Sequence, residues 1–228
     1  MALAHNRGKS EEYRCVKKSS LEVGVDVPWV TSWTAETILG PGPCPSLDGA
    51  NAILQSSNPG YGKPEYSKNH AVRQRMTVRK MLCPMCGEPT TEGDRVTQVA
   101  RRVPAGWVRA GGRTPNLPTA IPDAAILLDT GSIAPLHRHC SERSLIHCPH
   151  LRGSPNVEVM DFTPRWVTMP LLMQAMMPPP AGALLMLDPP RARPVSAVTF
   201  LQICGVTGES DPDWRENGDR YRGAGVAA

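Results

Sequence analysis

The sequence predicts an α+β fold, in which small antiparallel sheets and short helices surround a treble-clef-like zinc finger. The chain of 228 residues contains 24 prolines and 20 glycines, so its regular elements should be short. Apolar residues make up 40% and charged residues 20%, which is typical of a chain that buries a core. A Cys-x-x-Cys pair followed by a His-x-x-Cys pair has the spacing of zinc ligands.

Short strands and loops are predicted for the N-terminal part of the chain. Residues 1–20 are polar and basic, and they form a predicted flexible arm without the apolar stretch of a secretion signal. Residues 23–38 alternate and are rich in β-favouring side chains, which predicts one or two strands. Residues 40–45 form a Pro/Gly loop, and residues 50–55 are predicted to form a short helical turn.

A basic helix is predicted over residues 68–80, with Ser67 as its N-cap. The segment 63–80 has a single acid, Glu65, so the helix is a candidate surface for phosphates or for an acidic partner. That surface comprises Lys68, Arg73, Arg75, Arg79 and Lys80. The alternative is the solvated face of an ordinary helix, since no aromatic residue is interleaved to stack on bases.

The strongest chemical signal is the run Cys-Pro-Met-Cys-Gly at residues 83–87. Two thiols three positions apart in a tight turn can bind one cation, and a structural zinc site takes four such ligands. A second pair with the same spacing opens a helix predicted over residues 138–147. A knuckle, a hairpin and a ligand pair at a helix start describe a treble clef. We predict one structural Zn²⁺ bound by Cys83, Cys86, His137 and Cys140.

Two neighbouring residues compete for this ligand set. His139 could replace His137 as the fourth ligand; the spacing favours His137, but the sequence leaves the choice open. Cys148 lies eight positions after Cys140, roughly 12 Å along a continuous helix, so both thiols cannot reach one ion.

The remainder of the chain is predicted to form mainly strands. These cover residues 95–103, 106–109, 124–128, 183–187 and 195–206. A Met-rich turn of helix is predicted over residues 171–177. Its thioethers suit an irregular core or, if they prove exposed, an adaptable docking surface.

We expect a single zinc-stabilised domain over residues 21–207, with the finger core at residues 81–151 and a flexible tail at residues 208–228. The uncharged stretch 166–187 is long enough to span a membrane, but its prolines exclude a spanning helix. The seven cysteines form no secreted-type framework. They favour the cytoplasm, where paired cysteines more often bind metals than form disulfides.

A binding or regulatory protein is predicted rather than an enzyme. A nuclease of the His-Asn-His type, common on treble clefs, needs a general-base histidine between the ligand pairs, and residues 87–136 contain no histidine. Gly111-Gly112 lacks the Lys-Ser/Thr of a phosphate-binding loop. The net charge of +4 is too small to indicate nucleic-acid binding by itself.

The chain resembles an uncharacterised protein family of actinobacteria and their phages over residues 23–206. The matching motifs are Pro-Trp-Val-Thr-Ser-Trp at 28–33 with Glu36, Arg-Gln-Arg at 73–75, the Cys-Pro-Met-Cys-Gly run, His-Arg-His-Cys at 137–140 and Cys-Pro-His-Leu at 148–151. The family usually has two cysteines in the second ligand pair. His137 replaces the first of them here, an exchange that zinc accepts.

This resemblance implies a family but no activity. Actinophages encode small accessory proteins, the recombination directionality factors, which bind a large serine integrase and switch it from integration to excision. By setting and size, the chain is similar to such a factor. We therefore expect an accessory protein that binds a DNA-acting partner in the host cytoplasm. The alternatives are a direct nucleic-acid-binding zinc finger and a His-Asn-His-like nuclease.

Overall fold

The computed structural model describes residues 16–110, 117–148, 151, 157–177 and 191–207. Within them, the fold is mixed α+β, with several small sheets and few helices. The predicted tail, the strand predicted at 183–187 and residues 1–15 of the predicted arm lie outside the described residues. The strands are β1 (Thr31–Trp33), β2 (Ile38–Pro43), β3 (Asn51–Gln55), β4 (Pro64–Asn69), β5 (Arg95–Thr97), β6 (Arg101–Pro104), β7 (Ile126–Asp129), β8 (Leu136–His137), β9 (Met160–Asp161), β10 (Trp166–Met177) and β11 (Arg193–Val206). The helices are α1 (Ala71–Lys80), α2 (Ala105–Ala110) and α3 (Arg138–His147).

The largest sheet is built around β11. Its strand order is β2–β3–β11–β7–β6, and β10 pairs antiparallel with β11 from Trp166 to Met177. On its opposite edge, β11 pairs in parallel with β3 at Val198 and antiparallel with β7 from Cys204 onward. β11 is therefore the strand that joins both halves of the sheet.

Side chains of α1 fill the gap that β3 and β7 leave along β11. The Gln74 amide accepts from the Leu201 N–H and donates to the Leu201 carbonyl, at 2.9 and 2.7 Å. The Arg75 guanidinium donates to the Thr199 carbonyl at 2.7 Å and to the Ile53 carbonyl at 2.8 Å. The two side chains thus replace a strand partner, which docks α1 on the sheet.

Apolar residues pack on both faces of this sheet. One cluster lies under α1 and includes Val78, Met81 and Ile203. The other lies under α2 and includes Leu127, Met169 and Cys204. Ile203 and Cys204 are consecutive in β11, so their side chains point to opposite faces.

Two smaller sheets complete the described architecture. β1 pairs with β4, and β5 lies between β8 and β9 in a three-stranded sheet. α3 begins directly after β8 and packs against β5. None of the helices in the described part of the chain is long and apolar enough to cross a membrane.

Several predicted elements are wrong in type. Residues 51–55 form a strand rather than a helical turn, because they pair with β2 and β11. Residues 106–109 belong to α2 rather than to a strand. Residues 171–177 are the second half of β10, and their backbone pairs with β11 throughout.

Other elements agree with the predictions from sequence, although their ends shift. The helix predicted over residues 138–147 is confirmed as α3, and the buried strand predicted near 124–128 is β7. The basic helix is present but begins at Ala71, with His70 instead of Ser67 as its N-cap. Ser67 lies inside β4, which the sequence did not indicate.

Candidate metal centre

The first ligand pair lies in a tight turn directly after α1. The Gly87 N–H donates to the Cys83 carbonyl at 2.8 Å, which closes the turn, and the Cys83 N–H donates to the Glu88 carbonyl at 2.8 Å. Gly87 has φ +85°, a left-handed conformation that glycine adopts without strain. The turn brings both sulfur atoms to one side of the knuckle.

The N-terminal segment lies against this knuckle. The backbone N–H groups of Trp29 and Val30 donate to the carbonyls of Met85 and Pro84, at 2.8 and 3.0 Å. A Cβ atom on Gly87 would come within 2.8–2.9 Å of the Trp29 indole ring. The glycine that follows the second cysteine is therefore needed both for its backbone angle and for the space it leaves.

The second ligand pair is positioned by the junction of β8 and α3. His137 is the last residue of β8 and the N-cap of α3, with extended backbone angles. Cys140 lies in the first turn of the helix and is fully buried. A residue before the helix and one in its first turn point to the same side, so the two side chains converge on the knuckle.

The four predicted ligands come together and could hold a metal ion. The sulfur atoms of Cys83, Cys86 and Cys140 and a ring nitrogen of His137 all lie within 4.8 Å of one another. The His137 Nδ1 atom is 3.4 Å from the Cys86 sulfur and 4.0 Å from the Cys140 sulfur. Tetrahedral zinc, with bonds of about 2.3 Å to sulfur and 2.0–2.1 Å to nitrogen, separates such ligand atoms by about 3.6 Å.

A backbone carbonyl orients the His137 ring. The Nε2 atom lies 3.1 Å from the Pro89 carbonyl oxygen. A carbonyl only accepts hydrogen bonds, so this contact requires the proton on Nε2 and leaves the Nδ1 lone pair facing the thiols. Metal-binding histidines usually have such an outer partner, which fixes the tautomer.

His139 lies beside this group. Its ring stacks on the His137 ring at 5.2 Å, and its Nε2 atom is 3.3 Å from the Cys140 sulfur. It is exposed, and it groups instead with Asp94 and His137 in a second, overlapping set of potential ligands. Cys148 is the C-cap of α3 and belongs to neither set.

Burial and mutual repulsion act against ionised thiols at this centre. Burial raises the pKa of Cys83, although the backbone N–H groups of Cys86, His137 and Met85 partly offset that rise. Burial also raises the pKa of Cys140, and the nearby Cys83 and Cys86 raise it further. A bound cation reverses this balance because it attracts all three thiolates.

A buried hydrogen-bond network holds α3 in place. The Gln98 amide donates to the Ser141 carbonyl at 2.7 Å and to its hydroxyl at 2.6 Å, while the Ser144 hydroxyl donates to the Gln98 carbonyl oxygen at 2.8 Å. Sequence reasoning missed these residues, as it missed Trp29 and Pro89. Only the Cys-x-x-Cys-Gly motif carried a signal, since a glycine there indicates a constrained turn.

The predicted basic surface is only partly a surface. Lys68, Arg79 and Lys80 are exposed. Arg73 and Arg75 are buried, with 4% and 0% of their area accessible, which corrects the expectation that they face a partner. Arg75 donates hydrogen bonds to carbonyls of the main sheet, and Arg73 forms an ion pair with a buried carboxylate.

That acid is Glu36. Its two carboxylate oxygens accept from the Arg73 guanidinium at 2.6 and 2.8 Å, and Arg73 also donates to the Thr31 carbonyl at 2.6 Å. Burial alone would raise the pKa of Glu36, but the hydrogen bonds from Arg73 and from the Trp33 N–H more than compensate and lower it. The pair is therefore an internal ion pair that joins the segment between β1 and β2 to α1.

Comparisons with known proteins yield no relative. No family model, curated protein or solved structure matches the chain. The resemblance to the actinobacterial and phage family stays a prediction from the motifs alone.

Proposed function

We propose that the protein is a zinc-stabilised, non-enzymatic binding protein that regulates a DNA-acting partner. The observation that carries the zinc assignment is the convergence of Cys83, Cys86, His137 and Cys140 within 4.8 Å. The His137–Pro89 contact adds the outer partner that such a histidine usually has. Three thiols and one imidazole favour zinc over the harder cations, which prefer oxygen ligands.

The zinc is structural in this proposal. Four protein atoms complete a tetrahedral shell, so no position is left at the metal for water or substrate. The knuckle and the ligand pair that opens α3 support a treble-clef arrangement, in which β5 follows the first ligand pair and pairs with β8, the strand that ends in His137. Because protein atoms fill the coordination shell of the zinc, the partner has to bind a surface elsewhere on the molecule.

The partner is a protein that acts on DNA, and the most specific form of this proposal is a recombination directionality factor for a large serine integrase. The motif resemblance and the small size of the chain support that assignment. The burial of Arg73 and Arg75 favours a protein partner over direct DNA contact, because only three of the five predicted surface residues stay accessible: Lys68 in β4, and Arg79 and Lys80 in α1. Such a partner would place the protein in the cytoplasm.

Titration on DNA separates this proposal from a direct nucleic-acid binder. We expect the purified full chain to bind a labelled duplex weakly and with little dependence on salt between about 50 and 200 mM. A steep loss of affinity with salt, abolished in a Lys68→Ala, Arg79→Ala, Lys80→Ala variant, would favour direct binding instead. Metal-dependent cleavage of the duplex, lost on chelation, would favour the nuclease.

The partner itself is tested by affinity capture from phage-infected actinobacterial cells. We expect the tagged chain to retain a recombinase, and the reconstituted pair to shift its products from integration to excision. Capture without a recombinase, together with unchanged recombination products, would contradict the directionality-factor assignment. The zinc assignment would survive that result, since it rests on the ligand geometry.

A further inference from the structure

The outer edge of β10 has no strand partner in the described part of the chain. β10 pairs with β11 along one edge, and β2 packs near it without forming backbone pairs with it. The second half of the strand is exposed, with 55% of Leu172, 44% of Met173 and 58% of Met176 accessible. An accessible strand edge is a template for another strand.

The hydrogen-bonding directions along this edge follow from the contacts of β11. Pro170 is paired with Leu201, whose N–H and carbonyl both bind Gln74 on the far side of β11. In an antiparallel pair, two residues that face each other direct their backbone groups either both toward or both away from the partner strand. The backbone groups of Pro170 therefore also point away from β11. The missing N–H of Pro170 thus removes no hydrogen bond between β10 and β11.

The backbone groups of Leu172 also point away from β11. Its paired residue, Val198, directs its carbonyl toward Arg75 on the far side of β11. The bulge at this point inserts Thr199 in β11, so the alternation within β10 continues unbroken. The outward backbone groups beyond Pro170 are therefore those of Leu172, Gln174 and Met176.

The exposed side chains along this edge are compatible with pairing to a second copy of the same strand. Leu172, Gln174 and Met176 share one face of the strand by the two-residue period, and all three are exposed. Residues 166–177 contain no charged side chain, so a second copy of β10 would meet no like charge. Natural proteins often protect an exposed edge with a charged side chain, and this strand has none.

We propose that two copies of the protein pair through the outer edges of β10, antiparallel and about a two-fold axis at Gln174. Leu172 of each copy then faces Met176 of the other, and the two Gln174 amides, each both donor and acceptor, face each other. The three outward residues of each copy exchange backbone hydrogen bonds, and the two main sheets become one. A two-fold axis makes the same patch serve both copies.

The interface is small, which sets the expected affinity. A single strand pairing buries less than the roughly 1,200 Å² of a standard stable interface. We therefore expect a reversible dimer with a dissociation constant of about 10–100 µM. Sedimentation of the full chain over about 1–300 µM should show the mass rising from monomer to dimer.

Gln174 provides the sharpest test because it faces itself across the axis. Gln174→Lys should place two like charges opposite each other and raise the dissociation constant up to about fivefold, and Gln174→Glu should do the same. An equal mixture of the two variants should restore association, since a lysine then faces a glutamate. Ile146→Lys, a charge added at an exposed site of α3, should leave association unchanged.

Three results would overturn the proposal. They are a monomeric wild-type chain at about 300 µM, association that neither Gln174 variant weakens, or a mixture of the variants that associates no better than either alone. The first would leave the edge to another partner or to a different segment of this chain. The other two would place the interface elsewhere.

Discussion

Gly87 is the residue at which the metal knuckle and the N-terminal segment meet. Its backbone occupies φ +85°, and the Trp29 ring lies where a side chain would begin. Both constraints act at the residue directly after Cys86. The arrangement of the candidate ligands and the docking of the N-terminal segment therefore depend on the same glycine.

Gly87→Ala should destabilise the protein by about 2–4 kcal/mol, since alanine is strained at positive φ and its Cβ would also overlap Trp29. The matched control is Gly93→Ala: Gly93 has ordinary backbone angles and open space around its Cα, so its replacement should change stability by less than about 1 kcal/mol. Urea denaturation in the presence of added zinc measures both. Equal midpoints for the two variants would contradict the description of this turn.

His70 is a buried histidine with a structural role. Its Nδ1 atom accepts from the Arg73 N–H at 3.2 Å and so caps α1, while Nε2 lies 2.9 Å from the Ser56 carbonyl. Burial lowers the pKa of His70 from its ordinary 6.5, and the nearby charges of Arg73 and Arg75 lower it further, against the opposing effects of the Ser56 carbonyl and of Glu36. Folding therefore favours the neutral form of this ring.

Stability should fall as the pH drops below about 6.5, because His70 is then protonated more readily in the unfolded chain than in the folded chain. For one histidine the free energy of unfolding can fall by at most about 1.4 kcal/mol per pH unit. His70→Asn keeps a capping acceptor but does not titrate, so its stability should decline less over this range. Parallel pH slopes for the wild type and His70→Asn in urea denaturation would show that His70 is not the titrating group.

Spacing and residue type were sufficient to predict which four residues come together in the candidate metal centre, but they did not reveal the role of the arginines. The thiols of Cys83 and Cys86 are close in sequence, so their geometry is local. Arg73 and Arg75 are buried by contacts with residues far along the chain, Glu36 and Thr199. A helix pattern alone does not distinguish an arginine that faces solvent from one that reaches a distant carbonyl.

At the scale of elements, side chains of α1 occupy the part of the β11 edge that has no strand partner in the described sheet. Gln74 satisfies both backbone groups of Leu201 and also donates to the Ser132 carbonyl at 2.7 Å. Replacing it would leave buried polar groups of β11 without partners, which is costly.

Gln74→Leu should destabilise the protein by about 2–4 kcal/mol, since leucine has similar size but offers no hydrogen bonds. Arg79→Ala, at an exposed position of the same helix, should change stability by less than about 0.5 kcal/mol. Denaturation midpoints at constant zinc concentration compare the two. If Gln74→Leu were as stable as Arg79→Ala, the hydrogen bonds of Gln74 would not stabilise the sheet.

The elements that the sequence predicted well are those with local signals. α3 has a ligand pair at its start and Pro149 after its end, so its bounds follow from nearby residues. β3 and the second half of β10 were predicted as helical turns because short apolar runs fit either period. Their conformation is decided by pairing with β11, which lies far away in sequence.

At the scale of the whole molecule, the candidate metal centre joins three parts of the chain. The knuckle binds the N-terminal segment through Trp29 and Val30, and its ligands meet those at the start of α3. β8, which ends in His137, pairs with β5 and, through it, reaches β9. A metal at this point would therefore stabilise contacts between distant segments, which couples binding to folding.

The most direct test of the zinc assignment is the zinc content of the purified full chain by mass spectrometry, with its melting temperature before and after chelation. We expect one zinc per chain, a large fall in melting temperature on chelation, and loss of both metal and stability in Cys83→Ser. His139→Ala serves as the matched control and should retain its zinc. If Cys83→Ser kept full zinc content and wild-type stability, the four residues would not be the metal site.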